Sequence, residues 1–590
     1  MTTDSAVVLS SSSPTIVNTI VAFNSFGIYR SQDDGVAPAF RHNCVYGNTP
    51  SDYTGFTDPT GTNGNISADP LLGDLRYGNT HIQPDSPCVD AGNNADAFAD
   101  FDIDGEPRIQ GGTVEIGADE SDGTVWPPGP YAIVRVSPAG DDANDGSSWV
   151  LAKRTVQASI DAAAAVGGEV WVQTGTYQEL ITLRRYASLY GGFAGSETMR
   201  DQRDWVANVT TLDGQRQGSV VTSQARQGAS AIDGFTITNG SARYGGGLYL
   251  FHASPTIANN DITGNTATDN GGGLYLYKSS PMIANNTIRG NNAGYEGGGL
   301  CLELSFPRIA NNNISGNSAA RGGGLHEYSS SGTITNNTIA GNIARDNGGG
   351  LYLGSSALTI GNAVAFNSSG IHLSGTDTTR LLHNCVYGNT AYDYSGLSAP
   401  TGTDGNISAD PLFIRKPDDG GDAWGDDPAT PDVNEGANDD FGDLRLSRGS
   451  PCIDAGYNAL VPPDTPDLDA DGDTSEPLPF DLAGGPRFLD DPLTADTGRG
   501  TPPIVDIGAL EHPLRGDCDG SGQVDLGDCT ALVGCMAGPD LDTPAGCGCA
   551  DMNFDGHADL RDFARFQVRS SSRVRPVGYP VVLYTKRDGG

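Results

Sequence analysis

The words GGGLYL at 245–250, GGGLYL at 271–276, GGGLCL at 297–302, GGGLHE at 322–327 and GGGLYL at 348–353 decide how this chain reads. Their first glycines stand 26, 26, 25 and 26 residues apart, and the residues between them repeat as well. A fixed period of this length marks a solenoid, in which each repeat is one supersecondary unit stacked on the next.

Each period holds three short apolar runs: the glycine word itself, Pro-x-Ile-x-Asn-Asn as at Pro255–Asn260, and Asn-x-Ile-x-Gly-Asn as at Asn260–Asn265. Runs this short, bounded by Gly, Asn, Ser and Pro, predict strands. Alternation stacks Leu248, Leu274, Leu300, Leu325 and Leu351 on one wall. It places Ile257, Ile283, Ile309, Ile334 and Ile360 on a second, and Ile262, Ile288, Ile314 and Ile339 on a third. One period therefore predicts one three-sided coil, and stacked coils satisfy each other's backbone hydrogen bonds in parallel. The expected fold is all-β, a right-handed parallel β-helix. Asn260, Asn286, Asn312, Asn337 and Asn362 recur at one corner, where stacked amides can bond each other and asparagine tolerates a left-handed backbone. A ligand role is the alternative for that row.

With 73 acidic and 34 basic residues the formal charge is −39, which argues against nucleic acid or an anionic membrane surface as partner. No run of about 18 apolar residues occurs, so no transmembrane helix is expected. The opening residues lack the basic and apolar segments of an export signal. His42–Thr49 (HNCVYGNT) recurs at His383–Thr390, and Gly64–Leu71 (GNISADPL) at Gly405–Leu412. The chain thus reads as opening inside the last coils of an earlier β-helix, whose front, with any export signal, is missing. A half-helix docking on the complete one is the alternative.

This gives the expected organisation: last coils and closing module of a first helix (1–122), linker (123–130), β-helix with a capping helix (131–392), closing module with an acidic insertion (393–515), a calcium module (516–568) and a basic tail (569–590). The closing words SPCVDAG and EIGADE (86–92, 115–120) return as SPCIDAG and DIGALE (450–456, 506–511). They resemble the choice-of-anchor Q module of bacterial surface proteins, which implies a location more than a chemistry. Cys44 and Cys88 occupy the same module positions as Cys385 and Cys452, suggesting one disulfide per copy or else a pair of buried thiols. Cys301 takes the place of a tyrosine and reads as a tolerated substitution.

Val156, Ile160 and Ala163 or Ala164 share one face of a predicted helix over 153–166, and Glu169–Tyr177 (EVWVQTGTY) predicts the first buried strand. The order of entry strand, capping helix and VWVxxGTY strand resembles the start of pectin-lyase-like β-helices. The Gly- and Pro-rich stretch between Phe413 and Phe441 predicts a surface loop. Asp100, Asp102 and Asp104, like Asp467, Asp469 and Asp471, open as calcium loops do but lack an acid at the twelfth position. A solvated acidic turn is the alternative for both.

The C-terminal segment carries the most specific motif. Asp517, Asp519, Ser521, Asp525 and Asp528 fall at positions one, three, five, nine and twelve of a loop whose sixth residue is Gly522. Asp551, Asn553, Asp555, Asp559 and Asp562 repeat it 34 residues later. Calcium is a hard cation that takes six to eight oxygens, and the carbonyls of Gln523 and His557 would serve at position seven. Two ions are expected. The duplicated loops, each closing on Asp, resemble a type I dockerin, which implies a cohesin-like partner. Leu526-Gly527 and Leu560-Arg561 stand where dockerins usually carry Ser-Thr or similar pairs.

No catalytic residue can be named, because the polygalacturonase-type words Asn-Thr-Asp, Gly-His-Gly and Arg-Ile-Lys are absent and Asp269, Glu296, Arg321 and Asp346 alternate in kind before the glycines. If the leucines face inward, Tyr249, Phe251, Tyr275, Tyr277, Tyr328 and Tyr352 face out, an aromatic stripe suited to stacking on successive sugars of a glycan. Packing under loops is the alternative. The expected function is that of an exported, calcium-binding surface or secreted protein that presents a polysaccharide-binding face and attaches through its dockerin-like module. A polysaccharide lyase or hydrolase, and a structural adhesin or spacer, are the competing readings.

Overall fold

The computed structural model describes residues 5–512, apart from short internal segments of which 31–37 and 425–437 are the longest, and beyond them only 534, 535 and 550. From residue 132 to residue 395 the chain winds as a right-handed parallel β-solenoid. Ten strands, from Ala132–Val136 through Thr256–Ala258 to Arg380–Leu382, form the first wall. Nine, from Gly175–Tyr177 through Asp261–Thr263 to Cys385–Tyr387, form the second. Nine more, from Ile181–Thr182 through Leu248–Phe251 to Tyr394–Ser395, form the third.

The leucine and isoleucine stacks are buried in one continuous core, with one exception. The fifth coil of the row reaches the inward position 25 residues after Ile334, so Thr359 takes that place and Ile360 pairs with Thr335 on the outer side. The expected three-sided coil also gains a side. Ser241–Tyr244, Thr266–Asn270, Asn292–Ala293, Ser318–Arg321 and Ile343–Asn347 pair as a fourth, five-stranded sheet. These segments are polar and show no strand alternation. They pair because any extended segment stacked at coil spacing meets its equivalent, with Ala267, Ala293 and Ala319 small enough to pack inside.

The glycine turns have two separate causes. Gly271, first in its word, has φ +73°, a left-handed conformation that suits glycine. At Gly272 the backbone is ordinary, but a Cβ would stand 2.5 Å from the carbonyl oxygens of Asn292 and Gly298.

The predicted asparagine row is a hydrogen-bonded ladder. Asn260 Nδ2 donates to Asn286 Oδ1 at 3.0 Å, Asn286 to Asn312 at 3.0 Å, Asn312 to Asn337 at 2.9 Å, Asn337 to Asn362 at 3.0 Å, and on through Asn384 to Asn406. Each Oδ1 also accepts the backbone N–H of the preceding rung. The left-handed residues are the neighbouring Asn259, Asn285, Asn311 and Asn336, so conformation and bonding fall on different asparagines. A second ladder, Asn265, Asn291, Asn317, Asn342, Asn367 and Asn389, runs up the next corner.

The capping helix is Val156–Ala164, begun by Thr155, whose side chain accepts from the Ala158 N–H, and it buries Val156, Ile160 and Ala163. The expected first strand bends instead at Thr174, giving Gly168–Gln173 on one wall and Gly175–Tyr177 on the next. Near the N-terminus, Ser5–Leu9, Phe26–Arg30 and Tyr53–Thr54 form a parallel sheet of their own, beside the pairs Thr15–Val17 with Ala39–Arg41 and Ile20–Ala22 with Cys44–Tyr46. Asn24 and Asn48, and Asn43 and Asn65, repeat the ladder there.

The second closing segment folds back along the outside of the first two walls. Asn311 and Asn336 donate to the carbonyls of Phe480 and Asp506, and Gly508 and Ala509 donate to Gly361 and Thr338. Val461, Leu478 and Val505 pack on Met282, Ala284 and Ala310. Within the segment Arg487 is fully buried, paired with Glu511 at 3.1 Å and donating to the carbonyls of Asp506 and Gly508. Arg108, Glu120 and Gly117 repeat that arrangement in the first copy. The insertion expected as a surface loop is partly anchored, with Trp424 stacked on Phe441 and donating to the Gly341 carbonyl. Cys44 with Cys88, and Cys385 with Cys452, are brought together but stand as buried, mutually hydrogen-bonded thiols, the alternative to a disulfide.

Two outcomes follow from this packing. Asn312→Ala takes the acceptor from the buried Asn286 backbone N–H and removes the bonds that the Asn312 amide donates to the Ile283 and Ala310 carbonyls and to Asn337. It should cost about 3 kcal/mol, read as a lowered urea midpoint, while Asn292→Ala on the surface should cost little. Burial, then repulsion from Asp506, pushes the Asp454 carboxyl from 3.8 to about 7. The folded chain then holds a proton that the unfolded chain releases, so stability should fall as pH rises from about 4 to 7. Asp454 has φ +52°, which asparagine tolerates. Thermal unfolding of Asp454→Asn should therefore show a higher midpoint than the parent at pH 8, and a smaller loss between pH 5 and 8. Parallel pH curves would refute this.

Candidate functional site

Alternation along the third wall sends two rows of side chains outward. Tyr249, Tyr275, Cys301, His326, Tyr352 and His372 are register partners in one row, and Phe251, Tyr277, Glu303 and Tyr328 in the other. Beside them the fourth sheet ends in the row Tyr244, Asn270, Glu296, Arg321 and Asn347. The glycine turn folds this last row onto the first. At Gly297 a Cβ would lie 2.7 Å from that of Cys301.

The aromatic residues do line up, but their faces meet one another. Tyr249 and Tyr275 stack with centroids 5.9 Å apart and planes 4° apart, and Phe251 and Tyr277 stack at 5.3 Å and 7°. Tyr244 covers Tyr275 from the fourth sheet at 5.0 Å. Tyr275 is consequently only 5% exposed, and its hydroxyl donates to Glu303 at 2.5 Å. Burial, with that bond and the nearby Glu303 charge, pushes its phenol up. The expected open stripe is thus a stack that offers solvent its edges, while Phe251 and Tyr328 are exposed at 37% and 58%. Tyr352 is sandwiched between His326 at 4.6 Å and His372 at 4.8 Å.

Where the tyrosines stop, polar groups gather. Glu296, Cys301 and His326 each bring a ligand atom within 4.8 Å of the others. Cys301 and His326 are buried, and the Glu296 side chain is 28% exposed. Arg321 lies between carboxylates, 3.7 Å from Glu296 and 3.7 Å from Asp346. Burial, then the charge of Arg321, holds the His326 imidazole down to about 3, and the same causes lower His372. Burial raises the Glu296 carboxyl and the Cys301 thiol. Further along the rim Arg243 pairs with Asp269 at 2.6 Å.

Reading the glycine words for aromatic residues passes over His326, which follows Leu325 just as Tyr249 and Tyr275 follow their leucines. Stacking the words shows Cys301 and His326 as adjacent rungs. Of the weaker calcium candidates, Asp102 accepts the backbone N–H of Glu106, a turn bond, and that of Glu120, which ties the turn to the end of the closing segment. Asp104, Asp467, Asp469 and Asp471 lie outside the described residues, as do the twelve ligands expected between Asp517 and Asp562. No helix among the described residues is long and apolar enough to cross a membrane.

Comparison with known proteins matches two regions. Residues 213–397 match the right-handed β-helix region family, which spans the regular coils, and residues 515–568 match the type I dockerin domain, which spans both loops. No curated protein matches the chain. Among solved structures, the crystal structure of pectate lyase Pel9A is similar over 65% of this chain and 96% of its own, at 16% identity and a TM-score of 0.36. The chain therefore combines a right-handed β-helix with a C-terminal segment that matches the type I dockerin domain.

Proposed function

We propose that this is an exported protein of extracellular polysaccharide binding or breakdown, whose β-helix presents the outer face of its third wall to an extended glycan and whose dockerin domain ties it to a cohesin-like partner. The observation that carries the reading is the pairing of that domain with a solenoid whose outward rows repeat once per coil. A regular row suits a regular polymer. The tyrosine faces are engaged with one another, so the glycan would meet ring edges, the exposed Phe251 and Tyr328, and the charged rim of Arg243, Asp269, Arg321 and Asp346. The likeness of the closing segments to choice-of-anchor Q modules supports the same location, at a cell surface or beyond it.

In the dockerin domain, Asp517, Asp519, Ser521, Gln523, Asp525 and Asp528 would hold one calcium ion and Asp551, Asn553, Asp555, His557, Asp559 and Asp562 a second. Their donors are all oxygens, the chemistry this cation selects. A second reading, a lyase or hydrolase, is supported by Glu296, Arg321 and Asp346 standing together on neighbouring coils, where Arg321 would have to exchange these carboxylates for that of a uronate.

Two measurements test these readings. In native gels containing a panel of neutral and acidic polysaccharides, the full chain should be retarded by at least one, and the triple variant Phe251→Ala, Tyr277→Ala, Tyr328→Ala should lose on the order of tenfold or more in affinity. Equal retardation would remove the face from consideration. The same panel, followed for unsaturated and reducing ends, would favour the enzyme if product appears and disappears in Arg321→Ala. For the dockerin domain, chelation of the full chain should abolish protection of residues 516–568 from proteolysis and leave the β-helix intact. An unchanged digestion pattern would count against calcium-dependent folding.

A further inference from the structure

The side chains of Glu296, Cys301 and His326 stand together in the middle of the outward rows, on three different strands or turns that the coil register brings into line. Cys301 and His326 are partners on adjacent strands. Glu296 comes over them on the glycine turn, and its Oε1 lies 3.6 Å from His326 Nε2. Two atoms each about 2.0–2.1 Å from a tetrahedral zinc lie roughly 3.3 Å apart, so this pair is already nearly spaced for a shared ion.

The histidine is the telling residue. It is only 2% exposed, and its Nδ1 is buried without a hydrogen-bond partner. A buried imidazole normally satisfies both nitrogens. Its Nε2 faces Glu296 at 3.6 Å, also beyond hydrogen-bonding distance, so an ion there would leave Nδ1 as it stands but give the ring a polar partner, with the Tyr352 stack holding it in place. Cys301 is equally idle: a free thiol, 1% exposed, beside two carboxylates and no cation of its own. Arg321 is the nearest cation and sits 3.7 Å from Glu296, beyond hydrogen-bonding distance, with Asp346 as its other partner.

We propose that Glu296, Cys301 and His326 form a binding site for a borderline divalent transition metal of the zinc class, distinct from the calcium loops. One thiolate, one imidazole and one carboxylate are the donors such ions select, whereas calcium takes oxygens alone. Binding expels the Cys301 thiol proton to solvent, because the thiolate is the ligand. Three protein ligands leave a fourth tetrahedral position, which the partly exposed Glu296 side opens to water. The site spans two adjacent coils, so the ion also ties neighbouring rungs where the tyrosine stack is interrupted.

Cobalt(II) is the probe, since its thiolate complexes absorb in the near ultraviolet. The full, calcium-saturated chain should take up one more equivalent of cobalt than Cys301→Tyr and His326→Tyr, with an increment of thiolate-to-cobalt absorbance that both variants lack. Each variant carries the residue its own row holds on a neighbouring strand, and the five cysteines of the C-terminal segment, Cys518, Cys529, Cys535, Cys547 and Cys549, contribute equally to all three proteins. Should either variant fail to fold by circular dichroism, Glu296→Gln, at a partly exposed position, should weaken the extra equivalent on the order of tenfold or more. Equal uptake and identical spectra in the parent and the folded variants would overturn the proposal.

Discussion

Everything in this molecule depends on the distance between one coil and the next. Parallel strands must lie about 4.8 Å apart to hydrogen bond, and every side chain then stands directly over its equivalent in the coil below. A residue type is tolerated at a position only if it stacks on itself. Asparagine does so with full bonding, since each amide donates to the next and each carbonyl oxygen takes both that amide and a backbone N–H. Leucine and isoleucine do so by packing. The glycine pairs do so by leaving no side chain between carbonyls that approach within the space of a Cβ.

That self-similarity is why so much of the fold could be read from the chain alone. A constraint applied once per coil writes itself into the sequence once per period, and the three walls and the first asparagine ladder carry such marks, while the capping helix shows in its own helical spacing. The errors have the same origin. The word containing Ile360 points to the isoleucine stack, whereas distance along the coil puts Thr359 there, because the coil closes one residue earlier. The fourth sheet carries no repeated apolar residue beyond a small alanine, so nothing in it resembles a strand until its neighbours are in place. The closing segment's return along the first two walls rests on contacts between residues about 170 apart, such as Asn336 with Asp506. No local pattern encodes those contacts.

The candidate site was legible in its rows and not in its orientations. Alternation correctly sends Tyr249, Phe251, Tyr275 and Tyr277 outward, yet outward does not mean exposed. Rings repeated at coil spacing lie face to face, and the fourth sheet brings Tyr244 over Tyr275. Stacking satisfies the solenoid first and leaves a ligand only the edges and the ends. A glycan-binding role must therefore lean on residues where the stack is incomplete, as at Tyr328, and on the charged rim.

Departures from repetition consequently carry the most information. Replacing one rung of a self-stacking row sacrifices two contacts, above and below, so isolated substitutions should be scarce unless they are harmless. Here three departures fall together: Cys301 and His326 follow each other in one row, and Glu303 stands beside them in the next. Two of them are buried, and neither the thiol nor the imidazole is bonded in a way that offsets the stacking it displaces. Glu296, on the turn over them, supplies the remaining oxygen. Adjacent interruptions that are individually unfavourable, and that converge on one point, mark a position where something other than the solenoid is being satisfied.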